Sequence, residues 1–399
     1  MIEISRALKI IEQKTPWLGS ERVALTDSVG RVLVENVVAD SDLPPFDRSQ
    51  MDGYAVVASD TKNSPVTLKI VGESAAGRGW HNTMKTGEAV RIMTGASVPA
   101  GADAVQKVEL TSGWSDDRRE TVTILEAVKK GTAIVRKGAE VTKDKLIFSL
   151  GEVATEQIIA ALASFGYAKV RVGKAPRVAI MSTGTEIVPV NKKPDRDQIR
   201  NSNSVMLEVL CRKFACSTTI LPMVGDDLAG LKVAIRGARC EILIITGGVS
   251  VGKYDLTKQA LADLGAEIFF DKVRLKPGKP AVFARLGKTL IFGLPGNPVS
   301  AAVTFQLFVR KAIMLMQRAA ATDLSRGNAI LTADAKAPVD RDAYVPSALS
   351  TDQDGHLLAA PLRSQGSSDF IAFSRADSLI VLKRGARKAK GDVADILFL

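Results

Sequence analysis

Between residues 177 and 317 short apolar runs alternate with stretches of helical period, and this rhythm limits the fold more than any other feature of the chain. The runs "RVAIMSTG", "STTILPMV", "EILIITGG" and "AEIFFDKVRL" have the length and β-branched content of buried strands. Between them lie "SNSVMLEVLCRKFA", opened by a Ser or Asn cap, "DDLAGLKVAIRGA" and "DLTKQALADLG", all of helical period. Strands alternating with helices of about ten to fifteen residues form βαβ units on a parallel sheet. "PAVFARLGKTLIFGLP" reads as a hairpin leading into a last long helix over 298–317. That helix is apolar but carries Arg310 and Lys311, so it is expected inside the protein and not across a membrane.

At 399 residues the chain is too long for one core, and about two to four domains are expected. Ile4, Ala7, Leu8 and Ile11 form the apolar stripe of an N-terminal helix, and "VATEQIIAALASFG" is a second helix ending at Gly166. From about 52 to 140 the pattern turns to short strands broken by Gly, Pro and Asn, which reads as a β-rich insertion. The α/β domain then occupies 173–321, and β-like sequence resumes over 322–399.

Several chemistries are excluded early. The three cysteines, Cys211, Cys216 and Cys240, form no CxxC pair; the first two are expected on one helix but on different faces. With only His81 and His356 beside them, a zinc site, an iron–sulfur cluster or a Ser-His-Asp triad is not expected. The N-terminus "MIEISRALKI" lacks the apolar core of a signal peptide, which points to the cytoplasm. Lys and Arg exceed Asp and Glu by 54 − 43 = 11, so either an anionic partner or plain solubility explains the charge. Nucleic acid is the weakest anionic candidate, because aromatics are 5% of the chain and none interleaves a basic tract.

In a parallel α/β sheet, ligands bind past the carboxyl ends of the strands, where glycine turns lead into helix N-termini. Three stretches occupy that position: "MSTGTE" with Ser182 and Gly184, "ITGGVSVGKYD" with Gly247, Gly248 and Ser250, and "GLPGNPVSA" with Pro295, Pro298 and Ser300. None is a P-loop, since GxxxxGK[ST] is absent. "KPGKP" holds Lys276 and Lys279 in a stiff loop suited to an oxyanion, or to a solvated turn. Glu186 and Asp255 follow strand ends and are candidate magnesium or ligand contacts; Asp226 and Asp227 could serve magnesium or simply cap a helix. "PPFDRSQMDGYA" at 44–55 raises a separate question: why two aspartates, Asp47 and Asp52, stand in so constrained a segment.

In this order, "PPFDRSQMDGYAV", "IMTGASVPAGADAV", "STGTE", "IRNSNS", "ITGGVSVGKYD", "KPGKP" and "GLPGNPVSA" closely resemble the molybdopterin molybdenumtransferase (MoeA) family, related to the C-terminal domain of gephyrin. The likeness runs from about residue 5 to the C-terminus. It implies a multidomain α/β protein of four domains: a discontinuous helical and linker domain made of 1–41 and 141–172, the β-rich insertion over 42–140, a central α/β molybdopterin-binding domain over 173–321, and a small C-terminal β-barrel over 322–399. It also implies a homodimer in which the insertion of one subunit faces the α/β domain of the other. The implied reaction inserts molybdate, a substrate, into adenylylated molybdopterin with Mg²⁺ and releases AMP. The molybdopterin adenylyltransferase is the implied partner, with neither nucleic acid nor membrane involved.

By the same resemblance Asp52 acts at the active site, on Mg²⁺ or the adenylate, with Thr94 and Gly95 beside it. Lys276, Lys279 and Ser300 line pterin-phosphate and molybdate pockets, Glu186 and Asp255 face the substrate, and Pro295 and Pro298 shape their loop. Arg341 and Ser367 contribute to an oxyanion pocket. The chain departs from the family in three places. It reads "RKGAEV" over 136–141 where R-x-x-G-x-D is common, keeping Arg136 and offering Glu140 as the acid; "RDAYVPSAL" follows Arg341 in an unusual form; and Arg48 and Gln50 replace the usual Asn and Ala. Two other readings compete. The adenylyltransferase itself would be shorter and would lack "MDGYA" and the C-terminal β segment, and a scaffold in the manner of gephyrin would be expected to carry a fused domain.

Overall fold

The computed structural model of the chain describes residues 1–114, 120–225, 227–248, 256–362 and 366–399. It divides into two compact units, one formed by Met1–Glu35 with Leu150–Leu399 and the other by Asn36–Ser149.

The first unit is built on a six-stranded sheet in the order Ser217–Ile220, Arg177–Ser182, Ile242–Thr246, Thr289–Leu294, Val282–Leu286, Glu267–Phe270. The first four strands are mutually parallel, as the βαβ rhythm requires, while the hairpin strand Val282–Leu286 runs antiparallel to both of its neighbours. Side chains of the inner strands alternate between two apolar layers. Val178, Ile180, Ile242 and Ile244 face the N-terminal helix and the long helix, through Ile4, Ile11, Phe305 and Phe308. Ala179, Met181, Leu243 and Ile245 face the helices Leu228–Gly237 and Leu256–Asp263, through Leu231, Ile235, Ala260 and Leu261.

The long helix runs Pro298–Met316 and is apolar enough to span a membrane by composition, but 83% of its most apolar window is buried in this core. It is α-helical at both ends, with a π turn over Phe305–Val309 that periodicity does not foretell. Lys311, buried inside it, is neutralised by Asp323 at 3.0 Å. Cys216 is not on the helix expected to carry it: that helix ends at Arg212, and Cys216 lies just before the next strand. All three thiols are buried, and burial pushes Cys216 up to about 12 and Cys240 to about 11, so neither ionises at neutral pH.

The C-terminal segment forms a closed five-stranded barrel in the order Asp342–Thr351, Leu357–Pro361, Arg326–Leu331, Val393–Phe398, Ser378–Leu382, closed by pairing of the last strand with the first. Leu331, Ile380 and Ile396 fill it.

The second unit carries a five-stranded sheet in the order Ala104–Lys107, Gly53–Val56, Glu88–Ile92, Val66–Ser74, Thr121–Ile124. Val37–Val38 pairs with Leu146–Phe148 near the two ends of this unit.

Candidate functional site

Three parallel strands end level with one another: Ser182 is opposite Thr246, and Thr246 is opposite Leu294. Three turns therefore emerge side by side, Thr183–Gly184, Gly247–Gly248 and Pro295–Gly296–Asn297. Gly247 has φ +90, and a Cβ there would meet the Thr183 carbonyl oxygen at 2.4 Å, so the turns approach as closely as they do only because a glycine separates them. Asn203, at the start of the helix Ser202–Arg212, ties two of them together. Its Nδ2 donates to Thr246 Oγ1 at 2.9 Å and to the Gly296 carbonyl at 2.7 Å.

These turns line a cleft of about 620 Å³ with Glu186, Asn201, Pro298 and Ser368. Glu186 is exposed on the turn that leaves the first strand. The Thr183 hydroxyl and the Asn203 Oδ1, both lining this cleft, are buried and have no hydrogen-bond partner among the described residues. Unsatisfied buried oxygens and hydroxyls at the floor of a cleft suit a polar ligand. Ser182 is not part of this lining. It lies beneath, its hydroxyl 2.8 Å from Ser204 Oγ and 3.1 Å from Asn201 Oδ1, since neighbours along a strand point to opposite faces and it is Thr183 that turns outward.

A second cleft of about 560 Å³ shares Pro280, Pro295 and Asn297 with the first. Lys276, Lys279, Ser300, Lys336, Arg341 and Ser367 bring their polar groups to it. Each is placed by a different device. Lys276 lies in a two-residue strand parallel to Asp342–Ala343, opposite Ala343, two residues after Arg341. Gly278 has φ +115, and a Cβ there would come within 2.6 Å of Thr304 Cγ2, so the lysine loop rests directly on the long helix. Pro298 opens that helix, whose positive end faces the cleft. Ser367 is fixed at that end: Asn297 Nδ2 donates to its hydroxyl at 2.8 Å, and Val299 N–H donates to its carbonyl at 3.1 Å. Arg341 pairs with Asp340 at 3.1 Å, whereas Lys276, Lys279 and Lys336 have no ion partner among the described residues. Cations left unpaired around a helix N-terminus are of the kind that suits an oxyanion.

The insertion unit carries the remaining candidates. Asp52 enters the strand Gly53–Val56, and its Oδ1 accepts from the Thr94 N–H at 2.6 Å and the Thr94 hydroxyl at 2.7 Å. These two bonds, the N–H foremost, lower the Asp52 carboxyl below its ordinary value against a smaller desolvation, and Oδ2 accepts no hydrogen bond among the described residues. Gly95, with φ +80, turns the chain so that its own N–H reaches the Ser49 carbonyl at 2.8 Å. Arg136 is bound to Asp47 at 2.5 Å, and Arg48 to Glu140 at 2.8 Å. Two of the unusual residues, Arg48 and Glu140, thus neutralise each other. Asp47 answers part of the question its segment raises: it is a structural acid, accepting also from the Lys137 N–H at 2.8 Å.

As possible holders of a hard cation, the described carboxylates of Asp52 and Glu186 fit by donor type, all oxygen and facing solvent. Asp227 is committed elsewhere, since its carboxylate caps a helix through the Ala229 and Gly230 N–H groups. Asp226, Ser250 and Asp255 lie outside the described residues. Sequence reading missed Thr183, Asn203 and Asn297, whose quoted motifs contained them without a role, and Lys336, which no motif marks.

The acids of the insertion unit set its pH dependence. Asp42 is lowered first by the Lys143 N–H, and Asp47 is lowered because the Lys137 N–H and Arg136 outweigh its desolvation. Carboxyls lowered on folding add stability that is present above their unfolded values, about 4, and lost as pH falls through the folded ones. The thermal midpoint of this unit is therefore expected to hold from pH 7 to 5 and to drop between pH 4 and 2; a midpoint flat through that window would remove these ion pairs from the account.

Comparison with known proteins agrees with this architecture. Residues 2–166 match the family described as MoeA N-terminal region (domain I and II), 179–314 the probable molybdopterin binding domain, and 328–399 the MoeA C-terminal region (domain IV). The molybdopterin molybdenumtransferase of Bacillus subtilis is 35% identical over 374 residues, 92% of this chain and 87% of that one. That of Haemophilus influenzae is 34% identical over 379 residues, 94% and 93% of the two chains. Among solved structures, the molybdopterin biosynthesis moeA protein of Pyrococcus horikoshii superposes with a TM-score of 0.81 at 27% identity, covering 100% of both chains.

Proposed function

Since the chain belongs to the MoeA family of molybdopterin molybdenumtransferases, and is an enzyme of molybdenum-cofactor synthesis, we propose that it inserts molybdate into adenylylated molybdopterin and releases AMP. The observation that carries this reading is the second cleft, where Lys276, Lys279 and Arg341 converge with Ser367 on a helix N-terminus. A tetrahedral dianion needs positive charge and hydroxyl or amide donors, and no thiol or imidazole from the protein; the dithiolene sulfurs belong to the pterin.

In this reading Lys276, Lys279, Arg341, Ser300 and Ser367 bind and orient molybdate. The adjoining cleft, through Thr183, Asn203 and the backbone of Gly184, Gly247 and Gly248, receives the pterin and its phosphate. Asp255, Asp226 and Ser250 are kept as further candidates for this cleft. Asp52, held ionised by Thr94 with Gly95 shaping the turn, serves the adenylate end, and the Arg136–Asp47 pair braces the segment that bears it. Mg²⁺, for which Asp52 and Glu186 are the suitable described acids, would offset charge on the pyrophosphate oxygens. Positioning and electrostatic stabilisation then account for the rate, with no covalent step on the protein. The proposed working form is a cytoplasmic homodimer supplied by the molybdopterin adenylyltransferase.

The test is AMP release from adenylylated molybdopterin with Mg²⁺, with and without molybdate. Release that depends on both Mg²⁺ and molybdate is expected. Release at the same rate without molybdate would reduce the activity to plain hydrolysis and overturn the proposal.

A further inference from the structure

The barrel carries ten Lys and Arg against ten Asp between residues 322 and 399, yet five of those cations and no acid fall in 383–390. This tract is not spread evenly over the surface. Arg387–Lys388 pairs antiparallel with Ala335–Lys336 in a separate two-stranded ribbon, with Lys336 directly opposite Arg387. Residues opposite one another in such a pair share a face, with Cβ atoms about 5 Å apart, and like charges placed so are destabilising. Lys336 is a lining residue of the second cleft, so Arg387 stands on the cleft side of the ribbon.

Nearby acids do not relieve this repulsion. Asp334 accepts from the Lys390 N–H at 2.8 Å, Asp392 from the Ala389 N–H at 2.9 Å, and Asp342 from the Arg384 N–H at 2.9 Å, with Lys383 at 3.3 Å. Neither Lys336 nor Arg387 has an ion partner among the described residues, and both are exposed. A surface pair that costs stability and has no internal counter-charge is explained by an external one.

We infer that Lys336 and Arg387 form an anion clamp at the rim of the second cleft, taking a phosphate or pyrophosphate group of the ligand that the two adjoining clefts receive. The inference rests on the proposed function for the identity of that ligand, but not for the existence of the clamp. Arg387 supplies a planar fork able to hold two phosphate oxygens, and Lys336 a point charge between the fork and the cleft.

The clamp is tested with pyrophosphate and molybdate as separate probes, by titration calorimetry on the full chain. Arg387→Ala is expected to weaken pyrophosphate about tenfold at low salt, with the difference shrinking in about 0.5 M salt as the charges are screened. Arg387→Lys should keep most of the affinity, and Lys390→Ala, in the same tract but off the ribbon, should keep all of it. Molybdate affinity should be unchanged in Arg387→Ala. Because the like-charge pair is relieved, that variant should also melt about 1–3 °C higher than the parent. A variant weaker in binding yet more stable cannot be explained by misfolding. The clamp is overturned if the parent does not bind pyrophosphate, if Arg387→Ala binds it as well as the parent does, or if Lys390→Ala loses as much. Pyrophosphate binding that needs Arg387 in a protein indifferent to molybdate would keep the clamp and remove the proposed function instead.

Discussion

Asp52→Asn is expected to lower molybdate-dependent AMP release by about 10²–10³-fold, the scale on which single preorganised electrostatic contacts act in catalysis. The substitution keeps the shape of the side chain and an oxygen able to accept from the Thr94 N–H and hydroxyl, at 2.6 and 2.7 Å. It removes the charge and turns the Oδ2 acceptor into an NH2 donor. Asp52 is exposed, so desolvation plays little part, and the thermal midpoint should stay within about 2 °C of the parent, as for most surface changes. Turnover within about threefold of the parent, measured on protein of unchanged midpoint, would move the acidic role from Asp52 to Glu186 or to one of the undescribed acids.

Gly53→Ala is expected to have the largest effect on stability. Gly53 lies at the start of an inner strand, opposite Lys107 on one side and Ile92 on the other. A Cβ there would sit 2.0 Å from the Gln106 carbonyl oxygen and 2.9 Å from its carbon, both backbone atoms that cannot rotate away. The strand must part from a neighbour, at a cost of about 3 kcal/mol by the usual scale of overpacking, and the insertion unit should melt about 10 °C lower. Gly95→Ala is the useful contrast. Its φ of +80 imposes strain of about 1 kcal/mol, but nothing lies within 4 Å of the new methyl. Equal losses in the two variants, by calorimetry, would show that the close approach at Gly53 is not what fixes this strand. The glycine of "MDGYA" therefore has a packing reason, and Asp52 is placed by the strand that this glycine permits.

Much of this arrangement was legible in the sequence where it depends on local pattern. The apolar runs at 177–182, 242–246 and 289–294 became the three strands whose ends carry the site, because burial on both faces leaves a continuous apolar signature. The glycine turns after them were readable for the same reason, being the points where the chain must pass close to itself. What was not legible depends on partners far along the chain. Arg48 and Glu140 each look like an unexplained departure until the fold brings them together across 92 positions. Lys336 reaches the cleft only through ribbon pairing with Arg387, 51 positions away by number, which no local period encodes. Ser182 was expected at the ligand and is turned inward, because a strand's alternation fixes the facing of each residue only once one neighbour's facing is known. The π turn at Phe305–Val309 has no signature in an apolar run where every position is suited to burial.

The central claim, that the cleft between the lysine loop, the long helix and the barrel receives molybdate, is tested most directly by an anomalous difference map at the molybdenum absorption edge from crystals grown with molybdate. The account predicts one dominant peak within reach of Lys279, Arg341 and the Ser367 hydroxyl. A dominant peak at another site, with none in this cleft, would contradict it.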